Sequence, residues 1–134
     1  MPIDLPYLTI LEPRFGHLEL IDEKQTADSA PAPWYNETLC RVNDSVVRLG
    51  VVHGSYHWHS HQREDEFFYV VEGLLPIDLI DPADPSTTED NPRTISLHPR
   101  QGVVIPKGVR HRPRAPERTV MLMVETDTIQ PTGS

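Results

Sequence analysis

At 134 residues the chain is the size of one ordinary domain, long enough for a single core and too short for two. A formal charge of −8 and a pI near 5.2 set it against phosphate backbones and anionic lipid, which argues against nucleic acid and membrane surfaces as general partners. No run approaches the ~18 consecutive apolar residues of a bilayer-spanning helix.

In chain order, residues 1–37 contain a strand-like piece, "FGHLELID", and then "ADSAPAPW", whose small residues and prolines read as an irregular connector. This part is expected to be an arm that packs on the barrel or on a partner subunit, with residues 38–134 as the β-domain. Strands are predicted over Thr38–Val42, Ser45–Val52, Tyr56–His61, Glu66–Glu72, Leu74–Ile80, Thr94–Leu97, Val103–Ile105 and Thr119–Glu125. The segment "DPADPSTTEDNPR" between Ile80 and Thr94 reads as a surface loop. Fourteen prolines argue against long helices, and many short strands with regular turns predict an all-β sandwich or barrel. Cys40, the single cysteine, cannot form an internal disulfide and reads as a small buried hydrophobe; no basic, apolar signal segment opens the chain, so a reducing cytoplasm is the expected location.

The chemistry concentrates in "YHWHSHQREDEFF", residues 56–68. On a strand, His57, His59 and His61 share one face, while Tyr56, Trp58 and Ser60 take the other. Three imidazoles on one face repel one another when protonated, whereas a divalent metal requires them neutral and removes that cost. A carboxylate can join them from Glu64, Asp65 or Glu66. If residues 62–65 form the turn, Glu66 opens the return strand and faces His59 and His61, with Phe68 and Val70 on its side as pocket wall. Farther on, "VVIPKGVRH" reads as an apolar strand, a Pro-x-Gly turn and a histidine, His111, beyond it.

"HSHQREDEFFYVVEG" resembles the first sequence motif of the cupins, and "PKGVRH" the core of their second. The pattern falls on His59, His61, Glu66 and Gly73, then on Pro106, Gly108 and His111. It selects Glu66 as carboxylate, because the six residues between Glu66 and Gly73 match the motif. Gly54 lies one residue too near His59, two residues are missing between Gly102 and Pro106, and Ala115 stands where the motif ends in Asn. The resemblance implies a cupin-type double-stranded β-helix, a jelly-roll barrel, with an extended N-terminal arm. It also implies one divalent transition metal held by His59, His61, Glu66 and His111. Imidazole and carboxylate ligands without thiolate suit Fe(II), Mn(II), Ni(II), Cu(II) or Zn(II).

His57 shares the parity of the ligands and is the expected proton-transfer group, substrate contact or occasional fifth ligand. Arg110, Arg112, Arg114 and Arg118 form a basic run; an inward arginine would clamp an anionic substrate, but parity with His111 sends Arg110 and Arg112 outward. Trp58 and Tyr69 also point away from the barrel centre. The functional expectation is a small metalloenzyme, of oxygenase or isomerase/epimerase type, acting on an oxygen-rich small molecule. The alternative is a non-catalytic, metal-dependent sugar or small-molecule binding module. A homodimer is expected, with the N-terminal segment covering a sheet edge.

Overall fold

The computed structural model describes residues 7–133. It is built from eight strands and one short helix: β1 (Tyr7–Ile10), α1 (Glu23–Asp28), β2 (Trp34–Val42), β3 (Ser45–Ser55), β4 (Glu66–Glu72), β5 (Leu75–Leu79), β6 (Arg93–Leu97), β7 (Gly102–Ile105) and β8 (His111–Thr126). One sheet runs β1-β2-β3-β8-β4-β7; β8 also pairs with β5, which carries β6, so the long final strand belongs to both sheets. No helix among the described residues is long and apolar enough to cross a membrane.

Alternation does most of the folding. In β4, Glu66, Phe68 and Val70 are buried while Phe67, Tyr69 and Val71 are half-buried, the period-two pattern of a strand with one face inward. The inward faces join Trp34, Val52, Phe68, Val70, Leu75, Ile77, Met121 and Met123 into the main core. Outward-facing Leu49, Val51 and Val120 are not left wet. Tyr35, Leu39 and Ala27 pack on them, with Phe15 and Ile21 at the margin, so the N-terminal segment lies over the β2-β3-β8 surface. Cys40, half-buried, joins the edge of this second cluster.

The sequence-based boundaries shift most in four places, and β2 also starts at Trp34, ahead of the expected Thr38, while β3 runs on past Val52 to Ser55. "FGHLELID" is not a strand: Leu18 sits at φ 65°, and Glu19 N–H donates to the Gly16 carbonyl across a turn, which breaks the extended run. The parallel partner of β2 is instead β1, with Tyr7 opposite Trp34. A helix follows, which the sequence reading did not contain, capped by Asp22, whose side chain accepts from Gln25 N–H. Tyr56–His61 is irregular apart from one bridge, His59 to His111. β8 begins at His111, eight residues before the expected Thr119, because Pro113 and Pro116 mask it in the sequence. Pro113 needs no donor there, and its carbonyl accepts from Tyr56 N–H.

Gly73 closes the β4-β5 turn at φ 96°, and a Cβ there would lie 2.7 Å from the Thr119 Cα. Both conformation and space require glycine at this point. Thr119 meanwhile ties the turn down, accepting from Leu74 N–H at 3.0 Å and donating to the Leu74 carbonyl at 2.9 Å.

Candidate metal centre

His59 and His61 enter from the irregular segment after β3, Glu66 from the first residue of β4 and His111 from the first residue of β8. One donor atom from each lies within 4.8 Å of all the others, and all four residues are buried. His61 Nε2 is 3.3 Å and His111 Nε2 3.4 Å from Glu66 Oε1. The β8–His59 bridge sets this spacing: His59 N–H donates to the His111 carbonyl at 3.0 Å, and His111 N–H returns to the His59 carbonyl at 2.8 Å. Gly108 N–H donates to the His61 carbonyl, fixing the Pro-x-Gly turn against the same segment.

The tautomers follow from the partners. His59 Nδ1 lies 3.0 Å from the His57 carbonyl and His111 Nδ1 lies 2.9 Å from the Val109 carbonyl. A carbonyl only accepts, so each Nδ1 carries the proton and each Nε2 presents its lone pair. His111 Nε2, both ring nitrogens of His61 and Glu66 Oε1 are buried and make no well-aligned hydrogen bond within the protein. Lone pairs turned toward one point without donors are costly, and a divalent cation is the group that satisfies all of them. The residues therefore fit a metal ligated by three imidazoles and a carboxylate.

The other acids of the cluster are committed elsewhere. Asp65 accepts from Lys107 N–H at 2.9 Å, and Glu64 accepts from the Thr128 hydroxyl at 3.3 Å. His57 is exposed, with its ring 5.2 Å from that of His59, and Nε2 lies 2.9 Å from the Thr132 carbonyl. Strict parity fails here: Tyr56 is buried against Trp34 on the inner side, because the segment is not a regular strand. The basic run is also spoken for. Arg112 and Arg114 both bond the buried Asp78, at 2.8 and 2.7 Å, which with Thr94 holds that carboxyl down to about 2 against the opposing effect of burial. Arg112 further lies over the Trp58 ring, Arg110 pairs with Glu89, and Arg118 reaches the Ala27 carbonyl at 3.1 Å. None of the four serves as an inward clamp.

Sequence reasoning missed a charged pair behind the ligands. Arg48 of β3 and Glu125 of β8 are buried and 3.2 Å apart. Phe67 pairs with Val124 and Val46 with Glu125, so Glu125 stands between Glu66 and the Arg48 side of the sheet. Burial alone would push Glu66 up, but the His111 and His61 imidazoles set against its Oε1 hold its carboxyl well below the usual range. Glu125 moves the other way, raised by burial and by the neighbouring Glu66 charge. The signal was a charge at an inward position of each apolar strand, "SVVRLGVV" and "TVMLMVET".

His59 is pushed down to about 3, by burial first and then by the adjacent His111. Its ordinary value is 6.5, so between those values the unfolded chain binds a proton that the folded chain does not. The contribution of His59 to stability is complete above about pH 6.5 and is lost as pH falls toward 3. In the metal-free protein, the His59 ring is expected to show the NMR signature of neutral imidazole at pH 5. A protonated ring at that pH would contradict the burial argument.

The cupin domain family matches residues 46–126, and the chain belongs to that family. Over 90 residues it is 42% identical to the uncharacterized protein YdbB of Bacillus subtilis (strain 168), covering 67% of this chain and 71% of that one. Among solved structures, a cupin-2 domain containing protein from Shewanella frigidimarina NCIMB 400 superposes with a TM-score of 0.69 at 30% identity, over 80% of this chain and 94% of that chain. A hydroquinone 1,2-dioxygenase, PnpCD, solved in complex with Fe3+, shares the fold at 18% identity and a TM-score of 0.70, over 84% of this chain and 33% of that one. The architecture is thus the cupin jelly roll.

Proposed function

We propose that the protein is a small metalloenzyme whose His59, His61, Glu66 and His111 hold one divalent transition metal that takes an oxygen-bearing small molecule as ligand. The observation that carries this reading is the set of buried donor atoms facing one another, two of the imidazoles with their Nδ1 protons already tied to backbone carbonyls. When bound, such a metal acts as a Lewis acid and an acceptor of oxygen ligands, and Fe(II) in particular also binds dioxygen. The protein supplies a partly apolar setting: Phe68 and Met123 line the space beside His59 and Glu66. His57, at the rim, is the group proposed to exchange protons with solvent once its contact with Thr132 is released.

Between the oxygenase and isomerase branches, the apolar lining favours the oxygenase. The barrel of an Fe3+-containing hydroquinone dioxygenase has the same fold, which is compatible with that branch and says no more. A non-catalytic binding module remains the second reading, because a filled metal site is common to both. Residues 7–37 are proposed to serve as a cover, and exposed Leu11, Leu18 and Leu20 suit burial against a second copy in a cytoplasmic homodimer.

The test is metal analysis of protein purified without chelator, then anaerobic Fe(II) loading and an oxygen-electrode screen of catechols, thiols and diketones. About one metal per chain and substrate-dependent oxygen uptake are expected, and the same sample should scatter light as a dimer. A full metal complement with no turnover of any compound moves the protein to the binding-module reading. Absence of metal after loading removes both.

A further inference from the structure

Beyond Thr126, where β8 ends, residues 127–133 run as an irregular strap along the segment that carries His59 and His61. The Thr128 hydroxyl donates to Glu64 at 3.3 Å, the Tyr56 hydroxyl donates to the Pro131 carbonyl at 3.2 Å, and His57 Nε2 lies 2.9 Å from the Thr132 carbonyl. Gly133 packs so closely that a Cβ there would lie 2.9 Å from the His59 Cβ and 3.1 Å from the Ser60 carbonyl oxygen. Pro131 also lines a cavity of about 30 Å³ beside His59 and Glu66. That space holds a water or two, whereas a small ring fills a dry cavity of roughly 150 Å³, so a wall must move before anything larger than water comes near the ligands.

Of those walls the strap has the weakest ties. Trp34, Asn36, Phe68, Met121 and Met123 stand on β2, β4 and β8, which are held by their ladders. Asp127 marks the hinge: its N–H donates to the Asp44 carbonyl at 3.0 Å, and its carboxylate pairs with Arg41. Past that point no backbone hydrogen bond joins the strap to another element among the described residues; the two it makes, Ile129 to Thr126 and Gly133 to Gln130, are local turns. The strap is otherwise held by single side-chain hydrogen bonds and by Ile129, its one buried residue. Segments tied in this way open at a small fraction of the cost of unfolding the sheet.

We propose that residues 127–133 are a gate over the metal centre, hinged at Asp127 and latched by Tyr56 and His57, which lifts to admit any ligand larger than water; this rests on the metal reading above and adds how access to that site is controlled. Both latches are backbone carbonyls of the strap meeting side chains that flank His59, so a single movement releases Tyr56, His57 and the space beside the ligands together. A closed gate and a bound ligand exclude each other. The apparent affinity for a ligand is therefore its intrinsic affinity multiplied by the fraction of molecules with the gate open. Loosening a latch raises that fraction and tightens ligand binding, the reverse of what damage to a binding site does.

The experiment uses Co(II)-loaded full-length protein titrated with imidazole, a ring too large for the closed cavity, whose arrival at the metal changes the visible absorption of cobalt. Tyr56→Phe keeps the ring that stacks on Trp34 and removes only the hydroxyl that holds Pro131. It is expected to bind imidazole roughly three- to tenfold more tightly than the parent, the worth of one neutral hydrogen bond. Ile129→Ala, which loosens the strap without touching the latches, should act in the same direction and decides the matter if the first variant does not fold. Cobalt content measured on the same samples separates the outcomes. Full cobalt with imidazole affinity within twofold of the parent in both variants overturns the gate, and weaker imidazole binding or loss of cobalt in the variants makes the strap a brace for the ligand segment and overturns it equally. Failure of the parent to hold cobalt overturns the metal reading itself, and the gate with it.

Discussion

Glu66→Gln is expected to weaken divalent metal binding by more than about 100-fold, beyond the range that loss of a group merely supporting a ligand produces. The substitution keeps the shape of the side chain but removes the charge, and Glu66 is the only carboxylate of the four clustered residues. Its Oε1 lies between His61 and His111, so no other acid in the segment can take its place: Asp65 caps the turn at Lys107, and Glu64 is turned toward Thr128. At a metal concentration 100 times the dissociation constant, bound metal contributes about 2.7 kcal/mol to stability. The variant should lose most of that contribution, so its thermal midpoint should barely respond to added Zn(II) or Fe(II). Competition against a coloured chelator gives the affinity, and circular dichroism confirms that the strands remain. An affinity within tenfold of the parent would mean that these residues form a polar core and not a metal centre.

The second large effect lies behind the ligands. Glu125→Leu is expected to destabilise the metal-free protein by about 3–5 kcal/mol, because it strands Arg48 as a buried charge. Among the described residues no other carboxylate lies within ion-pair distance of Arg48, and its strand neighbours in the core are apolar. Replacing both partners, Arg48→Met with Glu125→Leu, should recover much of the loss, since an apolar pair of similar volume avoids the desolvation cost altogether. Urea unfolding of the two variants measures the difference. A single variant within 1 kcal/mol of the parent would show that the pair is effectively solvated.

Much of the site was legible because its spacing is short-range. His59, His61 and Glu66 fall within eight consecutive residues, and the glycine at 73 fixes which acid opens the strand. Strand parity then placed Phe68 and Val70 correctly, since β4 is a regular strand throughout. It failed at Tyr56 and His57, where the chain leaves the ladder and alternation no longer holds. "FGHLELID" failed for a different reason: its apolar residues suit a strand, but Leu18 and Leu20 end up exposed, and a turn at Gly16 takes the backbone away from any sheet edge. Proline hid the first half of β8. It removes a backbone donor, which a strand tolerates where the ladder does not need one.

By itself the sequence determined the all-β class, the strand that carries Glu66, the two motifs and the four residues that meet. The class and the strand depend on patterns within one strand or turn, set by backbone geometry that neighbouring residues share, whereas joining His111 to His59, His61 and Glu66 came from the resemblance of the two motifs to those of the cupins. Only the tertiary structure decided what surrounds the cluster. Asn36 comes from β2, Tyr56 from the segment after β3, Met121 from β8 and Pro131 from the C-terminal segment; nothing in their separate spacings relates them. Arg48 and Glu125 are 77 positions apart in the chain and meet because antiparallel pairing of β3 with β8 puts Val46 opposite Glu125. The register between distant strands is fixed by burial of whole faces at once, so the wall of the cavity and the support behind Glu66 exist only once the barrel has closed.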